Sequence, residues 1–370
     1  MESIVILKTN HQIIFKNSQY MDDVISPINL LVTSPPYPMI EMWDELFTTL
    51  NPVIGDWLSE NESMKAYDLM HEELNKVWSE VDRVLVNGGI VCINIGDATR
   101  KIGDSFQLYS NHSKIIQYFE KLGYQVLPPI IWRKQSNKPN KFMGSGMLPP
   151  NAYVTLEHEY ILIFRKKGNR SFSKIERDNR QGSAYFWEER NLWFSDLWED
   201  IKGTSQKLNV QNLRDRNGAY PFELAHRLIN MYSVKGDTVL DPFLGTGTTT
   251  IAAIANCRNS ICYEIDVNFK DLIEESIIRN KKFMNKFIQN RLNDHLKFVN
   301  IRKKEKGKLK HKSNVYGFSV MTNQEKNLTL NQIAKIVKKD NNLNEFEVEY
   351  ENVNKIEVEK YKKEIQTTLV

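Results

Sequence analysis

Apolar residues fall into two recurring patterns along this chain: short unbroken runs, and stripes at helical spacing. The runs at residues 28–32, 90–95, 125–132, 153–164, 238–240 and 260–265 read as buried strands, with a further candidate strand at 4–7. Between residues 65 and 86, Leu69, Leu74, Val77, Trp78, Val81 and Leu85 share one helical face, and Asn87-Gly88-Gly89 is expected to stop that helix. A second helix is predicted over 113–122, closed by Gly123. A third runs to about Asn256. A long one spans 266–301, with Leu272, Ile273, Ile277, Phe283 and Phe287 on its apolar side. Strands alternating with helices predict an α/β fold with a mostly parallel sheet covered on both faces. The pattern fails in three places. Residues 134–150 carry Lys134, Lys138 and Lys141 without periodicity and read as a mobile loop near the ligand. Residues 165–216 dissolve into basic and aromatic positions, and residues 313–370 suggest a small appended domain.

Composition alters this picture little. The 370 residues suffice for one large core and an accessory region, and 41% hydrophobic with 26% charged residues is ordinary for a globular chain. No apolar run approaches membrane-spanning length and residues 1–10 lack a signal-peptide layout, so a cytoplasmic protein without a membrane partner is expected. Cys92, Cys257 and Cys262 lie in or beside apolar segments, and no His-Glu-x-x-His or Cys-x-x-Cys pattern occurs, so core thiols and no metal site are expected. The net charge of +4 is mild, and a nucleic-acid partner would need clustered cations. Two stretches supply them: Lys166, Lys167, Arg170, Lys174, Arg177 and Arg180 among aromatic residues, and Lys303 and Lys304 within 302–312. Both are read as phosphate contacts, the second weighed equally against a solvated linker.

Two motifs carry the chemistry. Thr33-Ser34-Pro35-Pro36-Tyr37 follows a strand, and its two prolines force a stiff turn. Ser34 Oγ and the Pro35 carbonyl can accept hydrogen bonds from an amino group, and Tyr37 offers an aromatic face to a planar ring. Far downstream, Asp241-Pro242-Phe243-Leu244-Gly245-Thr246-Gly247-Thr248-Thr249 joins a strand to a helix, and Glu264 ends the next strand. Two glycines one residue apart allow a tight turn and close ligand approach, and an acid about 20 residues on suits ribose hydroxyls.

Together these motifs resemble those of the amino-methylating DNA methyltransferases. The catalytic motif precedes the cofactor motif, as in the permuted beta class, and the resemblance covers about residues 28 to 275. His158-Glu159-Tyr160 and Tyr220-Pro221-Phe222 fall in order between the two, with Asn217-Gly218 where a histidine is usual. The resemblance implies a Rossmann-like methyltransferase fold, S-adenosylmethionine as cofactor and double-stranded DNA as substrate. A cognate restriction endonuclease acting on the same site, and a monomeric or homodimeric state, are also expected. It implies catalytic roles for Ser34, Pro35, Pro36 and Tyr37. It assigns cofactor contacts to Asp241, Phe243, Gly245, Gly247, Thr248, Glu264, Tyr220 and Pro221, with Asp241 at the methionine ammonium or its water shell. Residues 1–164 would form the catalytic half, 165–216 a target-recognition region, 217–300 the cofactor half, and 301–370 a basic linker and extension. Serine before the two prolines is typical of family members that modify cytosine N4, with adenine N6 the alternative. A dinucleotide oxidoreductase is disfavoured by Thr250 in place of a third glycine, and a non-catalytic binding subunit by the full set of motif residues.

Overall fold

The computed structural model describes residues 7–24, 26–134, 143–203, 220–339 and 344–353. The expectations for Lys138, Lys141, Asn217-Gly218 and most of the candidate strand at 4–7 fall outside them.

The amino-terminal part contains β1 (Leu7–Phe15), β2 (Ile28–Thr33), the short helices α1 (Asp44–Leu50) and α2 (Val53–Ser59), and the long α3 (Ser63–Val84). There follow β3 (Leu85–Ile95), the hairpin β4 (Ala98–Ile102) and β5 (Ser105–Tyr109), α4 (Asn111–Lys121) and β6 (Gln125–Arg133). A small hairpin, β7 (Met143–Gly144) and β8 (Ala152–Tyr153), precedes β9 (His158–Arg165). Next come α5 (Lys174–Gly182), α6 (Trp187–Trp193) and β10 (Leu197–Trp198). The later half holds α7 (Phe222–Tyr232), β11 (Thr238–Asp241), α8 (Thr248–Ala255), β12 (Asn259–Glu264), α9 (Lys270–Arg279) and α10 (Lys281–Lys306). The pair β13 (His311–Lys312) and β14 (Ser319–Val320) precedes β15 (Asn331–Lys338) and β16 (Glu345–Asn352).

Ten of these strands form one sheet, ordered β10-β6-β9-β3-β2-β11-β12-β1-β16-β15. Its centre, β3-β2-β11-β12-β1, is parallel throughout. Antiparallel pairing appears only towards the two edges, at β9 and β6 on one side and β16 and β15 on the other. The parallel strands read as continuous apolar runs because both faces are covered. One face buries Met70, Leu74, Trp78 and Val81 of α3 with Ile115 and Phe119 of α4. The other buries Leu224, Leu228 and Ile229 of α7 with Ala252 and Ala253 of α8.

Four expectations need correction. The helix over 65–86 ends at Val84, and the Asn-Gly-Gly that was to stop it lies inside β3, where Gly88 takes a φ of +78°. A Cβ on Gly88 would meet the Arg170 backbone nitrogen at 2.7 Å, so the glycine serves a close chain crossing. The long helix over 266–301 is two helices meeting at Asn280. Residues 165–216 are not patternless: Ser173 and Glu176 form a reciprocal capping box that starts α5, a signal carried by two polar residues and not by apolar periodicity. Among the described residues after 313 there is no separate appended domain, because β15 and β16 extend the central sheet through β1.

Candidate functional site

Parallel pairing of β2 with β11 places the two motifs side by side although they are about 200 residues apart in sequence. Both leave the carboxyl ends of their strands, where ligands bind in open α/β sheets. The Thr33 hydroxyl donates to Asp241 Oδ1 at 2.6 Å. Asp241 also accepts from the Phe243 backbone N–H at 3.0 Å, from the Tyr220 hydroxyl at 3.3 Å and from the Thr249 hydroxyl. With four donors and 1% exposure, Asp241 is an internal staple. Burial pushes its pKa up, while the hydroxyl donors and the Phe243 N–H oppose that shift. A carboxylate so enclosed would act on a ligand ammonium through its water shell, the second of the two modes expected for Asp241.

A cavity of about 440 Å³ opens beside this staple. Ser34 and Pro36 line it from the catalytic turn, and Phe243, Gly245, Glu264 and Asp266 from the cofactor side. Glu264 accepts from the Gly245 N–H at 2.8 Å and the Asp266 N–H at 2.9 Å. Burial raises its pKa to about 7 against the pull of those two N–H groups. Phe243 both lines the cavity and packs edge-on against Trp78 at 5.9 Å, so its lining and core roles coexist. Gly247 has a φ of +93° and caps α8, whose first residue is Thr248. Pro221 caps α7, and Tyr220 is buried with its hydroxyl on Thr249. These four cofactor candidates lie outside the cavity lining, next to the α8 amino terminus.

The other wall is a polar network that the motifs alone do not reveal. Pro35 and Pro36 are buried, and Tyr37 turns its hydroxyl inward. That hydroxyl lies 3.1 Å from Ser34 Oγ, donates to Glu159 Oε2 at 3.0 Å and accepts from Asn94 Nδ2 at 2.8 Å. Asn94 also donates to Glu159 Oε2 at 2.7 Å, and Lys134 Nζ reaches Glu159 Oε1 at 2.7 Å. The Tyr37 ring fits because residue 96 is glycine: a Cβ there would stand 2.9 Å from the ring. Burial first, then the Glu159 charge, raises the Tyr37 pKa well above its usual value. Glu159, Asn94 and Lys134 were missed as site residues. The signal was a lone acid heading the apolar run of β9, the same logic that singled out Glu264 at the end of β12.

The basic stretches are brought together with each other but not with this cavity. Antiparallel pairing of β9 with β3 sets Tyr160 opposite Ile95 and Arg165 opposite Ile90, so β9 carries the chain about 17 Å away, to the amino edge of the parallel strands. There Lys166 donates to the Leu85 carbonyl and pairs with Asp82, and Arg170 pairs with Asp237 at 2.6 Å. Lys167, Lys174, Arg177 and Arg180 belong to this edge segment, and Arg177 and Arg180 line a broad cleft there with Tyr185, Trp187 and Arg190. The last turn of α10, with Lys303 and Lys304, arrives beside it through Arg302 stacked on Trp187.

The family model described as DNA methylase, for N6 and N4 methyltransferases, matches residues 28–275. The chain is 60% identical over 351 residues to the Type II methyltransferase M.MthZI of Methanothermobacter thermautotrophicus, covering 94% of this chain and 97% of that one. It is 56% identical over 283 residues to the Type II methyltransferase M.MjaI of Methanocaldococcus jannaschii, covering 73% and 92%. Among solved structures, TTHA0409 of Thermus thermophilus, a putative DNA modification methylase complexed with S-adenosyl-L-methionine, superposes with a TM-score of 0.56. It shares 30% identity and the match covers 73% of this chain and 93% of that one. With two thirds of its length matched by the family model and its two motifs converging on one cavity, the chain belongs to the N6/N4 DNA methylase family.

Proposed function

We propose that this protein is a Type II modification methyltransferase that transfers a methyl group to the exocyclic N4 of cytosine in duplex DNA. The observation that carries the reading is the shared cavity, with Ser34 and Pro36 on one wall and Gly245 and Glu264 on the other. The cavity suits S-adenosylmethionine, whose methyl is the electrophile when it is bound. In this reading Glu264 would accept from ribose hydroxyls and Phe243 would lie against the adenosine, both from the cavity wall.

The substrate amine is a poor nucleophile because its lone pair is delocalised into the ring. Ser34 Oγ and the Pro35 carbonyl, taking its two N–H bonds, orient that lone pair towards the cavity. Flipping the base out of the duplex costs a few kcal/mol. A thiolate mechanism has no support, since Cys92, Cys257 and Cys262 are buried and burial raises each thiol pKa. Cytosine is favoured over adenine by Ser34 itself, the residue typical of N4 members by resemblance. Adenine N6 is the second reading, because both bases present an amine beside a ring-nitrogen acceptor.

The relatives' Type II class implies a cognate endonuclease acting on the same sequence. Lys303, Lys304, Arg177 and Arg180 remain candidates for DNA phosphates, on a segment separate from the target nucleotide. Lys166 and Arg170 are weaker candidates because their charges are already paired. Sequencing of methylated DNA from cells expressing the chain, with mass spectrometry of its nucleosides, tests the proposal. N4-methylcytosine at one defined site is expected, and N6-methyladenine as sole product would replace the base assignment.

A further inference from the structure

We propose that Glu159 ends a proton path that starts at the substrate amine and runs through the hydroxyls of Ser34 and Tyr37. The inference rests on the amine-methylation reading above and adds to it where the proton of that reaction goes.

The hydrogen bonds have a fixed sense. Asn94 Nδ2 can only donate, and it donates both to Tyr37 and to Glu159 Oε2. The Glu159 carboxylate accepts from Tyr37, which uses the one proton the phenol has. The 3.1 Å contact between Ser34 and Tyr37 is then made by the serine proton, donated to the phenol oxygen. Ser34, which lines the cavity, keeps acceptor capacity on Oγ for an N–H bond. The serine and phenol protons both point away from the cavity and towards Glu159, while Asn94 Nδ2 stands 3.5 Å behind Ser34 Oγ as a further donor. Lys134, 2.7 Å from the other carboxylate oxygen, holds that group in place. The raised Tyr37 pKa agrees with a phenol that passes a proton on and does not sit ionised.

The balance closes without another reactant. The new N–CH3 bond forms as the methyl's bond to sulfur breaks, and the sulfonium's positive charge passes to the amine nitrogen. One N–H bond then breaks. Its proton goes to Ser34 Oγ, the serine proton to the Tyr37 oxygen, and the phenol proton to Glu159 Oε2. Glu159 ends neutral, beside a Lys134 side chain that is 28% exposed and connects it to solvent. Ser34 touches the base. Tyr37 and Glu159 act through it and are positioning residues in this scheme.

The test uses the full chain with Y37F and E159Q, each close in shape to the original. Cofactor and duplex binding are measured by calorimetry and fluorescence anisotropy, and methyl transfer by single turnover in H2O and in D2O. Both variants are expected to bind cofactor and duplex like wild type and to transfer methyl about 10²-fold more slowly, the lower end of proton-transfer contributions. The wild-type rate is expected to be slower in D2O than in H2O, and both variants should lose that solvent isotope effect. Y37F at the wild-type rate would overturn the path, as would E159Q with the wild-type rate and isotope effect. A wild-type chain that methylates no amine would overturn the functional reading and the path with it. N6-methyladenine as product would correct the base alone, and the same rates would still decide the path.

Discussion

Thr33 and Asp241, 208 residues apart in sequence, share a buried hydrogen bond of 2.6 Å that locks the catalytic turn to the cofactor turn. Neither side chain lines the cavity, yet the relative position of its two walls depends on them. Removing Asp241 should therefore lower stability as well as cofactor affinity. Asp241→Ala removes the acceptor shared by three hydroxyls and the Phe243 N–H, of which only Tyr220 and Thr249 can still pair with each other, and is expected to cost about 1–3 kcal/mol in chemical denaturation. Thr33→Val should cost about 1 kcal/mol and weaken cofactor binding less. Asp241→Ala with wild-type stability would show that the staple contributes nothing to the fold.

Glu264 makes cofactor binding sensitive to pH. Its pKa is raised by burial from the usual 4.5 to about 7. Ribose hydroxyls would donate to the ionised form, so binding releases a proton below about pH 7. Affinity for S-adenosylmethionine should rise from pH 5.5 to 7 and then level off, and Glu264→Gln should bind more weakly with a flat profile. The sign for stability is opposite. In the absence of ligand the folded carboxyl holds its proton longer than the unfolded one, so stability is greatest below about pH 4.5 and falls as the pH climbs to about 7. Glu264 alone accounts for at most about 3 kcal/mol of that fall. Calorimetric titrations and denaturant melts over this range check both slopes.

Ser34→Ala removes the acceptor for the amine and leaves Glu264 and Gly245 untouched. Turnover should drop by about 10²–10³-fold, the usual cost of one oriented transition-state partner, with cofactor affinity unchanged. Tyr37→Ala should lose most turnover too, since it also empties the pocket against Gly96. Nucleoside mass spectrometry after single turnover reads the effect.

The basic edge predicts a dependence on DNA length. Replacing Lys303, Lys304, Lys306 and Lys308 with Ala should weaken binding to long duplexes and flatten its salt dependence, by about 0.9 in slope for each phosphate no longer neutralised. Short duplexes that just cover the target site should bind as to wild type, because these cations lie near the edge opposite the cavity. An unchanged slope on long DNA would mark the end of α10 as a plain helix terminus.

Element type was written locally and could be read. The apolar face of α3, the glycine turn before α8 and the runs of β2, β11 and β12 appear where the pattern puts them. Strand direction was not local. Nothing within residues 158–165 tells that β9 runs against β3, and that single fact brings Glu159 to the catalytic turn while carrying Lys166 away from it. The charges near residues 165–180 were visible, but their edge of the sheet was set by partners about 70 residues earlier. The strands β15 and β16 escaped notice because alternate polar positions in an edge hairpin resemble a solvated segment.

The place of β1 has a consequence for how the sheet closes. It lies between β12 and β16, pairing His11 with Ser260 on one side and Phe346 on the other. β1 must wait for partners about 250 and 335 residues further along the chain. Pairings this distant in sequence are slow to close and leave an apolar edge bare meanwhile. Until β12 and β16 are available β1 has no partner on either side, so the cofactor-side sheet closes only through these distant pairings.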